Sequence, residues 1–511
     1  MMVTKLALIG FMGSGKSTAA RAGAQALACR PVDIDAEVER HFDKSIERVF
    51  DEQGEAAFRA KEEELTLKAL ARPDAPVVAL GGGAIASTRV REMLAQRDRL
   101  VVWMDVEPDV AWRRAHGAGR PLARDRAHFD ALYAEREPLY AALADATVPA
   151  ERAREMGTVI DALAGLPASA RVLWAASASG DYPAYIGPGL ITTLRFWPPT
   201  VAGRRFLIAD ERAAAHYGQS IEAPAKRIEI SAGEEGKTVA QAEVLWRALA
   251  RAGMTRGDVV VALGGGVVGD LAGFCAATYQ RGVRYVQVPT TLLAQVDSAY
   301  GGKTGVDLPE AKNYVGAYHQ PAAVVADTDT LRTLPPAELA AGYAEVVKTA
   351  LLAGGELWQS VRTGADPGSP EIVFACARTK LRIVARDERD GSLRQVLNLG
   401  HTVGHALETA TGYRRYRHGE AVGLGLLAAL RLSGQPDLRA EVQALLAAHG
   451  LPTRLDGADP DEIVAATAAD KKRTTAGPLP FVLLESPGRP RPGCQVDPAE
   501  LRAAVRELAT Q

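Results

Sequence analysis

Leu6-Ala-Leu-Ile9-Gly10-Phe-Met-Gly13-Ser14-Gly15-Lys16-Ser17-Thr18 opens the chain with an apolar run, a glycine-rich turn, a lysine and two hydroxyls. Two glycines five apart, followed at once by Lys and Ser, between a predicted strand and a predicted helix, have the spacing of a phosphate loop. In such a loop successive backbone N–H groups converge on phosphates at a helix N-terminus. Gly13, Ser14, Gly15 and Thr18 would surround the phosphates, Lys16 would reach the β- and γ-phosphates, and Ser17 would ligate magnesium. A strand running straight into this turn predicts a parallel α/β domain that binds ATP or GTP. It leaves the acceptor open.

Outward from the loop, short apolar runs alternate with helical stretches, the pattern of layered α/β folds. Strands are predicted at 6–9, 31–34, 77–80 and 100–104, a helix over 45–70 and a closing helix near 150–163. Gly165-Leu-Pro-Ala-Ser-Ala170 is small and turn-forming and reads as a linker. A second set of strands follows at 171–174, 206–209, 259–263, 285–288 and 324–326. After Pro335-Pro336, alanine- and leucine-rich helices take over, at 337–353, 370–389, 402–411 and 420–432. The expected domains are a P-loop domain at 1–166, a Rossmann-like α/β domain at 171–334 and an all-helical domain at 335–511. A length of 511 residues does exceed what one core supports.

Composition narrows the class. The formal net charge of −2 provides no global field for nucleic acid, so anion binding must be local. Cys29, Cys275, Cys376 and Cys494 form no closely spaced pair, which argues against a disulfide framework or a thiolate zinc site. No apolar run is long enough to span a membrane, and the apolar start is too short for a secretory signal, so the expected compartment is the cytoplasm.

The acceptor of the first site is read from motifs downstream of the loop. Asp33-Ile-Asp35 closes the second predicted strand, either as a helix cap or as a pair of carboxylates at the sheet edge where ligands bind. Glu55-Ala-Ala-Phe-Arg59, Gly81-Gly82-Gly83, Arg120-Pro-Leu122 and Arg136-Glu-Pro-Leu-Tyr140 complete the set. With the phosphate loop, these motifs make residues 1–165 resemble shikimate kinase. The resemblance implies that Asp35 orients the substrate hydroxyls and that Arg59 and Arg136 grip the carboxylate. Gly81, Gly82 and Gly83 would line the pocket, Asp33 would lie near magnesium, and Arg120 would close on ATP from a lid at 113–119, with Arg113 over adenine. Guanidinium forks suit a carboxylate-bearing ring.

In the second half, Gly264-Gly-Gly266-Val267-Val268-Gly269-Asp270 follows a predicted strand, which is consistent with a dinucleotide turn or with a structural one. No acidic strand end stands at the later position where such a turn would want one. His401 and His405 lie four apart on a predicted helix, near His418. Spacing alone suggests a His401–His405 metal pair, or core histidines satisfied by their helix.

Longer motifs decide the family. They are Gly233-Glu234-Glu-Gly-Lys237, Tyr279-Gln-Arg281, Val288-Pro-Thr290-Thr291, Gln295-Val-Asp297, Gly301-Gly-Lys303, Lys312-Asn313, Glu345-Val-Val-Lys348, Asn398-Leu-Gly-His401-Thr-Val-Gly-His405-Ala-Leu-Glu408 and His418-Gly-Glu420. Residues 171–511 thereby resemble 3-dehydroquinate synthase. The resemblance implies a zinc or cobalt ion held by Glu345, His401 and His418, with His405 on the substrate phosphate. It implies NAD at Glu234, Lys237, Gly266, Val267, Val268, Gly269, Asp270, Thr290, Thr291, Lys303, Lys312, Thr330 and Thr333. Substrate phosphate would meet Lys303, Asn313, Asn398, His405 and one of Lys471 and Lys472, with Arg281 reaching in from a partner subunit of a homodimer. Lys380 and Arg394 would hold the substrate carboxylate, and Asp297 and Lys348 match further active-site positions.

The chain is thus expected to be a fusion of two enzymes acting on small molecules, not on nucleic acid or membranes. One would phosphorylate shikimate with ATP and magnesium. The other would cyclise 3-deoxy-D-arabino-heptulosonate 7-phosphate through NAD-dependent oxidation, loss of phosphate, re-reduction and aldol closure. The rivals are another sugar-phosphate cyclase in the second half, a gluconate or nucleoside kinase in the first, and a catalytically dead fusion.

Overall fold

A computed structural model describes residues 5–96, 98–117, 119–474 and 480–510, apart from the side chains of 468–474 and 510. The chain divides into two compact units. One comprises residues 1–176, 183–185 and 197–201; the other comprises 177–182, 186–196 and 202–511.

In the first unit, β1 (Leu6–Ile9) runs into the phosphate loop and α1 (Lys16–Ala26). β2 (Pro31–Asp33), α2 (Ile34–Phe42), α3 (Ile46–Ala71), β3 (Val77–Ala79), α4 (Thr88–Ala95), β4 (Leu100–Asp105), α5 (Pro108–Ala115), α6 (Arg126–Leu143), β5 (Ala146–Pro149), α7 (Met156–Leu163) and β6 (Arg171–Ala175) come next. The strands pair in the order β2-β3-β1-β4-β5-β6, all parallel. Buried aliphatic and aromatic side chains such as Ile9, Val78, Val101 and Trp103 read as continuous apolar strands, as a sheet covered on both faces requires.

The domain boundary differs from the expectation. The chain does not leave the first sheet at Gly165–Ala170: β6, expected to open the second unit, pairs with β5 through Ala146–Val172 and Thr147–Leu173. Arg171 seals that edge by donating to the carbonyls of Ala144 and Ala141. The small, turn-forming residues at 165–170 connect α7 to β6.

The second unit has a parallel sheet ordered β14-β11-β10-β8-β9. β7 (Tyr182–Gly187) has residues 183–185 in the first unit and its ends in the second. The second unit's further elements are β8 (Arg205–Asp210), α8 (Glu211–Tyr217), β9 (Lys226–Ile230), α9 (Val239–Arg251), β10 (Val259–Gly264), α10 (Gly266–Thr278), β11 (Arg284–Pro289), the hairpin β12 (Lys303–Leu308) and β13 (Ala311–Tyr318), and β14 (Ala323–Asp327). Helices then dominate: α11 (Pro336–Ala353), α12 (Gly355–Arg362), α13 (Pro370–Arg386), α14 (His401–Ala410), α15 (His418–Leu432), α16 (Pro436–Ala448), α17 (Pro460–Thr474) and α18 (Pro498–Thr510). This region is not wholly helical as expected, because Phe481–Ser486 and Arg489–Cys494 form an antiparallel hairpin. Among the described residues, no helix is long and apolar enough to cross a membrane.

Candidate active sites

The first site lies where β1, β2 and β3 end, the carboxyl edge at which open parallel sheets bind ligands. Lys16 folds back over its own loop, donating Nζ to the carbonyls of Gly10 at 2.8 Å and Phe11 at 2.9 Å. Burial pushes this lysine down to about 8, although Asp35 and Asp33 oppose the shift. Ser14 Oγ is buried without a partner inside the loop.

Asp33 and Asp35 divide the two roles that the sequence left open. Asp33 Oδ1 caps α2 by accepting the Asp35 amide at 3.1 Å, whereas Asp35 Oδ2 receives Arg120 Nη1 at 2.7 Å. Arg59, on α3, is paired with Glu62 at 2.6 Å and with Glu55 at 3.1 Å. Glu62 is 2% exposed and was not anticipated from sequence; its position three residues after Arg59 on one helical face was the available signal. A Cβ on Gly83 would stand 2.1 Å from Arg59 Nη1, so only glycine leaves the guanidinium its place. Arg136 is 5% exposed, donates to Gly82 O at 3.3 Å and leaves its Nε unpartnered. Asp35, Arg59, Arg136 and the glycine triplet are therefore near neighbours, and Arg120 reaches the same group through Asp35. Arg114, not Arg113, reaches the phosphate loop, donating to Gly13 O at 3.1 Å.

The second site is a cavity of about 1380 Å³ at the carboxyl ends of β8, β10 and β11. Glu234, Lys237, Gly266, Val267, Val268, Asp270, Thr290, Thr291, Lys312, Asn313 and Thr333 line it, as do Asp297, His405 and His418. The N-terminus of α10 opens into it at Gly266, the geometry that receives a pyrophosphate. Gly269 instead packs on β11, where a Cβ would lie 2.5 Å from Gln287 Oε1. Lys237 Nζ binds Asp270 Oδ2 and Asn313 Oδ1, both at 2.6 Å, tying the glycine turn to the β12–β13 hairpin. Asp210, at the end of β8, also lines the cavity. Its Oδ1 caps α8 by accepting the amides of Arg212 and Ala213, and because it precedes the glycine turn the usual spacing passes over it.

Beneath the cavity lies a charged cluster made by four helices and the turn at 294–298. Glu345 and Lys348 share one face of α11 and pair with each other. His401 and His418 are the first residues of α14 and α15. They converge because α15 lies against its neighbours without side chains in the way: a Cβ on Gly419 would be 1.9 Å from Ala341 O, and one on Gly425 would be 1.9 Å from Gly400 O. As a result Glu345 Oε1 sits 3.4 Å from His401 Nε2 and 3.5 Å from His418 Nε2.

Of this wholly buried carboxylate, Oε2 is ion-paired with Lys348, whereas Oε1, between the two imidazoles, has no hydrogen-bond partner. Each imidazole is anchored through its other nitrogen, His401 Nδ1 on Leu399 O and His418 Nδ1 on Glu408 Oε2, both at 3.2 Å. Nε2 is thereby left facing the carboxylate, the arrangement in which protein-bound metal ions are held. The residues fit a divalent cation. His405 joins His401 and His418 in a group whose ligand atoms lie within 4.8 Å of one another, and His405 and His418 both line the cavity. Burial alone would raise the Glu345 carboxyl; Lys348 and His401 outweigh it and hold the group well below its ordinary value. His418 is pushed up to about 10 because Glu345 and Glu408 overcome its burial.

Around this cluster, Asp297 receives Lys380 at 2.9 Å and lies 3.8 Å from Lys348. Arg394 donates to Gly301 O at 3.2 Å and to Glu388 O. Lys303 pairs with Asp390 at 2.6 Å. Thr330 is 1% exposed and hydrogen-bonded into the interior, so it does not line the cavity. Arg281 and Asn398 are exposed and stand outside the lining. The side chains of Lys471 and Lys472 lie outside the described residues.

Comparison with known proteins agrees with this geometry. Residues 12–164 match the shikimate kinase family, 227–341 the N-terminal part of 3-dehydroquinate synthase and 342–473 its C-terminal part. The 3-dehydroquinate synthase of Symbiobacterium thermophilum is 44% identical over 355 residues, spanning 64% of this chain and 98% of its own. Among solved structures, 2-deoxy-scyllo-inosose synthase complexed with carbaglucose-6-phosphate, NAD+ and Co2+ is 26% identical, with a TM-score of 0.57 over 66% of this chain and 99% of its own. The 2-epi-5-epi-valiolone synthase of Streptomyces hygroscopicus subsp. jinggangensis 5008, with NAD+ and Zn2+ bound, is 26% identical, with a TM-score of 0.58 over 64% of this chain and 96% of its own. With a phosphate-loop pocket in one unit and a carboxylate–histidine cluster under a dinucleotide-sized cavity in the other, the chain belongs to the 3-dehydroquinate synthase family and carries a shikimate kinase domain ahead of it, making it a bifunctional shikimate-pathway enzyme.

Proposed function

We propose that the first site phosphorylates shikimate to shikimate 3-phosphate with magnesium ATP, Ser17 and Asp33 being on the metal's side of the site. Arg59 and Arg136 hold the carboxylate and Asp35 takes the acceptor hydroxyl. Lys16 releases the Gly10 and Phe11 carbonyls to meet the nucleotide, and Arg120 leaves Asp35 to meet the transferring phosphoryl group. These motions need no new fold, since each cation only exchanges a protein oxygen for a ligand oxygen.

The second site converts 3-deoxy-D-arabino-heptulosonate 7-phosphate to 3-dehydroquinate and phosphate. Glu345, His401 and His418 hold zinc or cobalt, which would polarise the hydroxyl being oxidised. NAD, when bound along Asp210, Gly266, Asp270, Thr290 and Lys312, would accept and return one hydride. His405 and Asn313 face the cavity and bind the leaving phosphate. Lys380 and Arg394 supply positive charge for the substrate carboxylate, and Asp297 and Lys348 hold the charge balance beside the reacting carbon. Arg281 reaches a neighbouring subunit's site in a homodimer.

The observation that carries this reading is the Glu345 carboxylate set between the Nε2 atoms of His401 and His418. The NAD+ and Co2+ or Zn2+ of the similar cyclases support it. The test is an assay of the purified chain with both substrates. A zinc-selective chelator in excess magnesium should abolish cyclisation, reversibly on adding zinc or cobalt, and leave shikimate phosphorylation intact. Cyclisation that persists in the metal-stripped protein would refute the reading.

A further inference from the structure

We propose that Glu408 is a positioning residue of the second site: it fixes His418 for metal binding from behind and is itself held by Lys312 at the cavity wall. The inference rests on the metal reading above. Glu408 is 3% exposed, on α14 two turns after His401, and its two oxygens have separate partners. Oε2 lies 3.2 Å from His418 Nδ1, and Oε1 lies 3.5 Å from Lys312 Nζ.

Lys312 is in turn constrained on three sides. It stands 3.6 Å from Glu234 Oε1 and 4.6 Å from the centre of the Tyr413 ring. Tyr413 holds a left-handed backbone at φ 59° just beyond α14, a strained conformation for a bulky residue. In that conformation its ring lies under the lysine. An ammonium packed between two carboxylates and an aromatic face has little freedom, so Glu408 is held in one orientation. A buried carboxylate in a fixed orientation accepts Nδ1–H and leaves Nε2 as the metal-facing lone pair, which also makes that nitrogen more electron-rich. His401 has only the neutral Leu399 carbonyl for the same purpose. The two histidine ligands are therefore unequal, and His418 is the one tuned by charge.

The test is zinc affinity, by chelator competition, of the full-length chain and of its Glu408→Gln and Glu408→Ala variants. Removal of such a partner is expected to weaken metal binding roughly 10–100-fold. Gln, which keeps an acceptor without the charge, should lose less than Ala. In the zinc-loaded wild type, the His418 Nδ1 proton should resonate at low field, and it should shift in Glu408→Gln and vanish in Glu408→Ala. Wild-type zinc affinity in both variants would overturn the proposal, as would a wild-type spectrum without that proton, which decides the matter even if the variants fail to fold. A wild-type protein that binds no zinc would instead fail the metal reading itself.

Discussion

Arg120 Nη1 lies 2.7 Å from Asp35 Oδ2, so the lid arginine rests on the carboxylate assigned to the acceptor hydroxyl. In the proposed reaction the pair parts when the substrates bind, which frees Asp35 for the hydroxyl and Arg120 for the phosphoryl group. Replacing Asp35 by Asn should lower kinase kcat by at least about 100-fold, the usual contribution of a positioned acid–base group. The KM for ATP should change little and cyclisation not at all. Steady-state kinetics of both activities check this, and a kcat within a few-fold of wild type would remove Asp35 from the chemistry.

Arg136→Lys should raise the KM for shikimate roughly 10–150-fold, the equivalent of losing about 1.5–3 kcal/mol for a charge-assisted bond. The planar fork of Arg136, buried and with Nε unpartnered, cannot be reproduced by an ammonium. Normal shikimate affinity in this variant would contradict the assignment.

ATP binding should depend on pH through Lys16. Burial lowers the free-enzyme value to about 8, and bound phosphates would raise it again. Below about 8 the lysine is already charged and affinity is flat with respect to this group. Above it, binding must take up a proton, so affinity should fall up to tenfold per pH unit, with proton uptake visible by calorimetry in buffers of different ionisation enthalpy. A flat profile from pH 7 to 9.5 would show that Lys16 does not titrate there.

The first unit should depend on β6. A fragment ending at residue 164 exposes the β5 edge that Val172 and Leu173 cover, whereas one ending at 176 keeps it paired. The longer fragment should melt higher, by roughly 2–4 °C for each kcal/mol that the strand contributes. Equal melting temperatures would place the boundary back at Gly165–Ala170.

Local pattern made much of this legible. β1, α11, α14 and α15 follow from apolar periodicity and glycine turns, and the phosphate loop from spacing alone. β5, β9 and both hairpins were not legible, because they are short, partly polar or placed at an edge, where tertiary pairing and not periodicity makes the strand. Among the site residues, histidine spacing suggested His401 with His405, and the geometry brings both together with His418; what spacing did not show is that His401 also faces Glu345, 56 positions earlier in the chain. Asp210 and Glu408 stand beside the second site because folding brings distant segments together, which no local spacing announces, whereas Glu62 is legible from its place three residues after Arg59. Asp33, expected near magnesium, also caps α2 by accepting the Asp35 amide.

The central claim is that Glu345, His401 and His418 hold the metal while His405 serves the substrate. Metal content per chain, measured by mass spectrometry on the four single alanine variants after purification with zinc, tests it directly. Glu345→Ala, His401→Ala and His418→Ala should each lose the ion and cyclisation with it. His405→Ala should keep close to one zinc per chain and lose only turnover. A zinc-free His405→Ala protein beside a zinc-loaded His418→Ala protein would contradict the account and restore the pair that spacing alone suggests.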